Sequence, residues 1–117
     1  MLGSRCQVLT SHLEITPQDL KKRIDSAERL RLIDVREPFE VQLASIAGAV
    51  AIPMRDIPKN LAALEDQENP IIVFCHHGMR SLQVVGWLRE HGVDNCLSMA
   101  GGIDRWSLEI DPKVPRY

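Results

Sequence analysis

The residues best equipped for chemistry are Cys75-His76-His77-Gly78-Met79-Arg80. They stand directly behind Ile71-Ile72-Val73-Phe74 and ahead of Ser81-Leu82-Gln83-Val84-Val85-Gly86-Trp87-Leu88. An ionised cysteine is a strong nucleophile, and this one is followed by a glycine that permits a backbone bend and an arginine with a rigid, permanently charged donor fork. The unbroken apolar run entered from Pro70 reads as a buried parallel strand, and the stretch after Arg80 as a helix with a broad apolar face. Cys75 therefore lies where a strand gives way to a helix. In an open α/β sheet, ligands bind along that edge. A short loop there turns several backbone N–H groups toward one point, and the positive end of the helix adds to the field. Such a cradle suits an anion, and a thiolate inside it is stabilised and reactive.

Other polar residues divide into rim and support. His76 and His77 line the rim and add positive potential toward an incoming anion. Adjacent side chains in a tight loop normally diverge, which argues against joint metal ligation with Cys75, so no metal is expected. Asp34 and Arg36, followed by Glu37, reach another strand end on the same edge. Their expected role is supporting: Asp34 accepts hydrogen bonds that hold neighbouring loops, and Arg36 pairs with Glu40. Ser81, the first residue after the loop, joins this group. Cys6 and Cys96 read as bystanders, with a resolving-thiol role left open. Trp87 and Trp106 occupy apolar helical positions and belong to the core or its edge.

The elements that must position these groups follow from pattern and punctuation. A short strand is expected at Leu13 to Ile15. Thr16-Pro17-Gln18-Asp19 combines a capping threonine, a proline suited to the first helical position and an early acid, opening a helix to about Ser26 that buries Leu20 and Ile24. Leu30 to Asp34 reads as a strand. Pro38 opens a helix to Leu43 with Phe39 and Leu43 on one face. Ile46 to Pro53 reads as a turn leading into a brief strand, and Ile57 to Leu64 as a helix with Leu61 and Leu64 facing inward. Ile71 to Phe74, the loop, a helix from Arg80 or Ser81 to His91 and a stop at Gly92 make a strand–loop–helix unit. Cys96 to Met99 is a further strand, Gly101-Gly102 breaks the chain, Ile103 to Leu108 forms a last helix, and the tail from Asp111 to Tyr117 packs irregularly. This alternation gives an α/β fold, a mostly parallel sheet covered by helices on both faces.

The 117 residues, 44% of them hydrophobic, suffice for one compact domain at 13–117 behind a flexible segment at 1–12. A net charge of -2 gives no electrostatic reason to expect nucleic acid or an anionic membrane as partner. Three cysteines without a CxxC pair fit a reducing compartment, and residues 1–5 lack the pattern of a secretory signal. A cytoplasmic setting is the resulting expectation.

Four separated motifs give the chain a family resemblance: Leu32-Ile33-Asp34-Val35-Arg36-Glu37-Pro38, Ile46-Ala47-Gly48-Ala49-Val50-Ala51-Ile52-Pro53, Cys75 to Arg80, and Met99-Ala100-Gly101-Gly102-Ile103-Asp104-Arg105-Trp106. Together they resemble the rhodanese (thiosulfate sulfurtransferase) superfamily, from Ile15 to the end. The resemblance implies a five-stranded rhodanese-like sheet and double displacement through a persulfide on Cys75. The implied partners are a small anionic sulfur donor such as thiosulfate, a cyanide or thiol acceptor, and a sulfur-relay protein. His76, His77, Gly78, Met79 and Arg80 would form the anion-binding loop, with Arg80 on the donor's charge and no cofactor required. The chain departs from the family at Ser45 and Ala47, which replace a usual histidine and proline, and lacks a glycine near Ile110; altered local packing is expected there.

Two other readings are weaker. A cysteine phosphatase or arsenate reductase places five residues between cysteine and arginine, whereas four separate Cys75 from Arg80 and Ser81 holds the phosphatase arginine position. A non-catalytic binding or regulatory module usually dispenses with the cysteine, which is retained here.

Overall fold

A computed structural model describes residues 12–65 and 69–117. Its elements run β1 (Glu14–Ile15), α1 (Pro17–Asp25), β2 (Arg31–Asp34), α2 (Pro38–Leu43), β3 (Val50–Ala51), α3 (Leu61–Leu64), β4 (Ile71–Phe74), α4 (Met79–Glu90), β5 (Cys96–Met99) and α5 (Gly102–Glu109). The five strands lie in the order β1-β5-β4-β2-β3, and every pairing is parallel. The expectation for residues 1–12 falls outside the described residues except at His12.

β4 is central, and all four of its residues are buried, which is why its sequence does not alternate. Side chains pointing to one face join Ile33, Leu64, Val84, Val85 and Leu88; those pointing to the other join Leu20, Ile103 and Trp106. The two clusters hold helices against both faces and align the carboxyl ends of β2 and β4, where Asp34 is the register partner of Phe74.

Several boundaries differ from the sequence expectation. β1 begins at Glu14, with Leu13 packed against the core from outside the strand. Thr16 caps α1 as expected, its Oγ1 accepting from Asp19 N–H at 3.1 Å. The helix expected at 57–64 is instead a pair of 3₁₀ turns (Met54–Asp56 and Pro58–Asn60) followed by the single α turn of α3. Pro58 has no N–H with which to continue an α-helical ladder from the preceding turn.

The largest difference concerns α2. Phe39 and Leu43 do share a face, but it is the solvent face, 64% and 51% exposed, while Glu40 is turned inward at 6%. A charged contact, described below, outweighs the apolar pair in setting the helix's rotation. The tail beyond Asp111 is irregular, as expected, with Val114 in the core beside Ile103 and Trp106.

Candidate active site

Cys75 follows β4 immediately, and the backbone wraps around its sulfur. Gly78, at φ +104°, allows a bend that aims its N–H at Cys75 Sγ, 3.1 Å away. A second N–H, from Ser81 in the first turn of α4, lies 3.4 Å from the sulfur, and Ser81 Oγ lies 3.5 Å away. Two backbone N–H groups thus converge on the sulfur as fixed donors. Ser81 Oγ also contacts Ser98 Oγ of β5 at 2.7 Å, a buried hydroxyl pair beneath the loop. Cys75 itself is 1% exposed and forms the floor of a cleft of about 170 Å³ lined by His76, His77, Met79 and Arg80. A larger groove of about 590 Å³, lined among others by Leu30, Ser45, Ala47 and Trp106, does not include the cysteine.

The loop is fastened from behind by α5. Ile103 N–H donates to the Cys75 carbonyl at 2.9 Å and Asp104 N–H to the His76 carbonyl at 3.1 Å. Gly102, at φ +62°, makes this approach possible, because a Cβ there would collide with those two carbonyl oxygens. The double glycine therefore brings a distant helix onto the loop as well as breaking the chain. Asp104 is carried along, and its carboxylate comes to 3.8 Å from His77 Nε2.

The histidines do not diverge. Their rings stack with centroids 3.8 Å apart, and Tyr117 stacks on the far side of His76 at 3.9 Å. Burial, with a smaller contribution from His77, pushes the His76 pKa below the ordinary histidine value.

Arg80 is more tightly engaged than the sequence implies. It donates two hydrogen bonds to the Glu40 carboxylate, at 2.7 and 2.9 Å, and Tyr117 Oη donates to the same carboxylate at 2.8 Å. The Arg80 hydrogen bonds are the main reason the Glu40 pKa falls to about 2, and the same pairing raises that of Arg80. Burial pushes the Tyr117 phenol up to about 12.

Arg36 does not pair with the Glu40 side chain as expected; it meets the Glu40 backbone carbonyl at 3.1 Å. Its other donors reach Asp34 at 2.9 and 2.6 Å, the Ala44 carbonyl at 2.6 Å and Tyr117 Oη at 2.9 Å. Asp34 also accepts from the Arg36 backbone N–H at 3.1 Å. Both side chains are buried. This network joins the end of β2, α2 and the tail, and through Glu40 it reaches Arg80. Three residues around the loop and this network went unassigned in the sequence: Glu40 as the partner of Arg80, Tyr117 as the stacking and bridging residue, and Ser98 beneath Ser81. Only Ser98 left a local trace, a hydroxyl inside the strand run Cys96-Leu97-Ser98-Met99.

Comparison with known proteins places this geometry in a class. The model of the rhodanese-like domain family matches residues 16–109, and the chain belongs to that family. Among curated relatives, the Arabidopsis thaliana chloroplastic rhodanese-like/PpiC domain-containing protein 12 is 37% identical over 93 residues, covering 77% of this chain and 31% of that protein. A sulfurtransferase of Allochromatium vinosum is 30% identical over 101 residues, covering 86% of this chain and 94% of its own length. The chain thus spans about a third of the first of these and nearly all of the second. Among solved structures, a rhodanese-related protein of Thermoplasma volcanium superposes with a TM-score of 0.75 at 33% identity, covering 89% of this chain and 98% of that one. Among the described residues, no helix is long and apolar enough to cross a membrane.

Proposed function

We propose that the protein is a sulfurtransferase that carries sulfane sulfur on Cys75. The thiolate attacks the outer sulfur of thiosulfate or of a persulfide donor. A new S–S bond forms, the donor's S–S bond breaks, and sulfite or a thiolate leaves with the electron pair. Cyanide or a thiolate acceptor then attacks the terminal sulfur, returning Cys75 to its thiolate. The steps balance without an added oxidant or reductant, and no metal is routed through them.

The observation that carries this reading is the pair of N–H groups, from Gly78 and Ser81, at 3.1 and 3.4 Å from Cys75 Sγ. They favour the attacking thiolate, and the same fixed dipoles remain to hold the persulfide's charge. The narrow cleft fits a small or extended donor presenting a sulfur atom at its tip. Arg80, at the cleft wall, supplies positive potential to an anionic donor while remaining held by Glu40. His76, His77 and Met79 complete the wall. A thiol on a sulfur-relay protein would be the acceptor when cyanide is absent, and a cytoplasmic setting would keep the cysteine reduced.

Mass spectrometry of the intact protein after exposure to thiosulfate tests the proposal. One added sulfur atom, removed by cyanide and absent from Cys75→Ser, is expected. An adduct that persists in the serine variant would assign the carrier elsewhere.

A further inference from the structure

We propose that His76, His77 and Asp104 form a binding site for a divalent transition metal, of the zinc, nickel and copper group, beside the mouth of the Cys75 loop. The inference does not depend on the sulfur chemistry of Cys75. One donor atom from each of these residues lies within 4.8 Å of the others. A metal held at the usual bond lengths of about 2.0–2.2 Å needs the donors closer together and each imidazole's in-plane lone pair aimed at the ion, so closure requires the exposed His77 ring to swing out of its stack on His76. The contact between His77 Nε2 and the Asp104 carboxylate is already 3.8 Å.

Two features set this cluster apart from a chance meeting of surface groups. His76 Nε2 is buried and makes no hydrogen bond of normal geometry among the described residues. The ring carrying it is stacked on Tyr117 at 3.9 Å, which holds its plane while the exposed His77 ring turns toward an ion. Asp104 is positioned independently, by the backbone hydrogen bond from its N–H to the His76 carbonyl. Two imidazoles and one carboxylate suit a borderline divalent ion better than magnesium or calcium, and three protein ligands leave a position open to water. Arg116 competes for the carboxylate at 2.8 Å. Its side chain is largely exposed, and an ion pair of that kind is readily displaced.

Zinc chloride titrated near neutral pH into Cys6→Ser/Cys75→Ser protein tests the site, since neither of those thiols can then supply a ligand. Calorimetry should show one saturable site per chain. His77→Ala and Asp104→Asn should each weaken it by at least about tenfold, and Arg116→Ala should strengthen it by freeing the carboxylate. In NMR spectra of the same protein, zinc should shift the ring protons of His76 and His77 and leave those of His12 and His91 in place. Absence of saturable binding, unchanged affinity in both ligand variants, or a response confined to His12 or His91 would overturn the proposal.

Discussion

At the carboxyl end of β2, charge is fully committed: Arg36 places its donors on Asp34, two backbone carbonyls and Tyr117 Oη, with both charged side chains buried. One strand over, at the carboxyl end of β4, backbone N–H groups converge on the sulfur and a histidine nitrogen makes no hydrogen bond of normal geometry among the described residues. The two ends are in register, with Val35 N–H donating to the Phe74 carbonyl at 3.0 Å, so the satisfied end braces the reactive one. A buried guanidinium with every direction occupied resists displacement, because moving it would strand several partners at once. A loop whose donors converge on one atom has the opposite property, since it can receive new charge there without rearranging. Rigidity and reactivity are thus divided between neighbouring strand ends.

The largest expected effect breaks the reactive side alone. Cys75→Ser should abolish thiosulfate-to-cyanide transfer, measured as thiocyanate formation, while the melting temperature stays close to that of the parent. Serine is close in size but remains protonated near neutral pH and forms no persulfide. A serine variant that turned over substantially would end the division proposed here.

Breaking the other side should do the reverse. Arg36→Met leaves the Asp34 carboxylate buried without its partner, and removal of one member of a buried pair costs about 3–5 kcal/mol. Urea denaturation should report that loss, with residual activity tracking the folded fraction. A loss below about 1 kcal/mol, within the range of surface pairs, would mean that the network does not brace the strand end.

Arg80 joins the two sides and sharpens the comparison. Arg80→Ala should lower kcat/KM for thiosulfate roughly ten- to a hundredfold, the equivalent of one charge-assisted contact. The loss should be smaller with an uncharged sulfur donor, and Arg80→Lys should recover only part of it, because a point charge lacks the two-pronged geometry. Equal losses toward charged and uncharged donors, together with a lower melting temperature, would make Arg80 a brace for the loop through Glu40.

The same pair gives a pH signature. Glu40 has a folded-state pKa of about 2, held down chiefly by Arg80, against an unfolded glutamate value of about 4.3. The carboxylate's contribution is therefore fully present above the unfolded value and is lost as pH falls from about 5 toward 2. Allowing for solvent screening on the partly exposed arginine, the loss should be about 2 kcal/mol. Glu40→Gln should flatten the stability profile across that window. A profile of the same slope would assign the acid sensitivity to other carboxylates.

The sequence made the strand–loop–helix unit legible because a buried parallel strand is continuously apolar and a glycine marks the bend, both local signals. Cys75, Gly78 and Ser81 could be read from seven adjacent positions. What escaped is what tertiary contacts decide. Phe39 and Leu43 present a helical apolar spacing, yet Arg80, forty residues on from Glu40, turns Glu40 inward instead. The histidine pair was expected to diverge, but α5 and Tyr117 hold the rings together from positions remote in sequence. The 3₁₀ turns before α3 belong to a further kind of miss, in which an apolar period concealed the effect of Pro58.

The smallest effect expected here concerns Ser98, the hydroxyl beneath the reactive end. Ser98 Oγ lies 2.7 Å from Ser81 Oγ, which in turn is 3.2 Å from the Gly78 carbonyl and 3.5 Å from Cys75 Sγ. A hydroxyl has one proton to donate. If Ser81 donates to Gly78, Ser98 supplies the proton between the two serines and so fixes the Ser81 rotamer without touching the sulfur. Ser98→Ala should then cost about 0.5–1.5 kcal/mol of stability, the value of one neutral buried hydrogen bond, and change turnover by no more than a few-fold. Ser81→Ala, which removes the hydroxyl nearest the sulfur, should slow turnover more than Ser98→Ala does, since the Ser81 N–H remains but its side-chain contact is gone. If instead Ser98→Ala slowed transfer as much as Ser81→Ala while leaving stability unchanged, the two hydroxyls would be acting together on the sulfur. The supporting layer would then belong to the reactive end, and the boundary between the two would have to be drawn one residue deeper in β5.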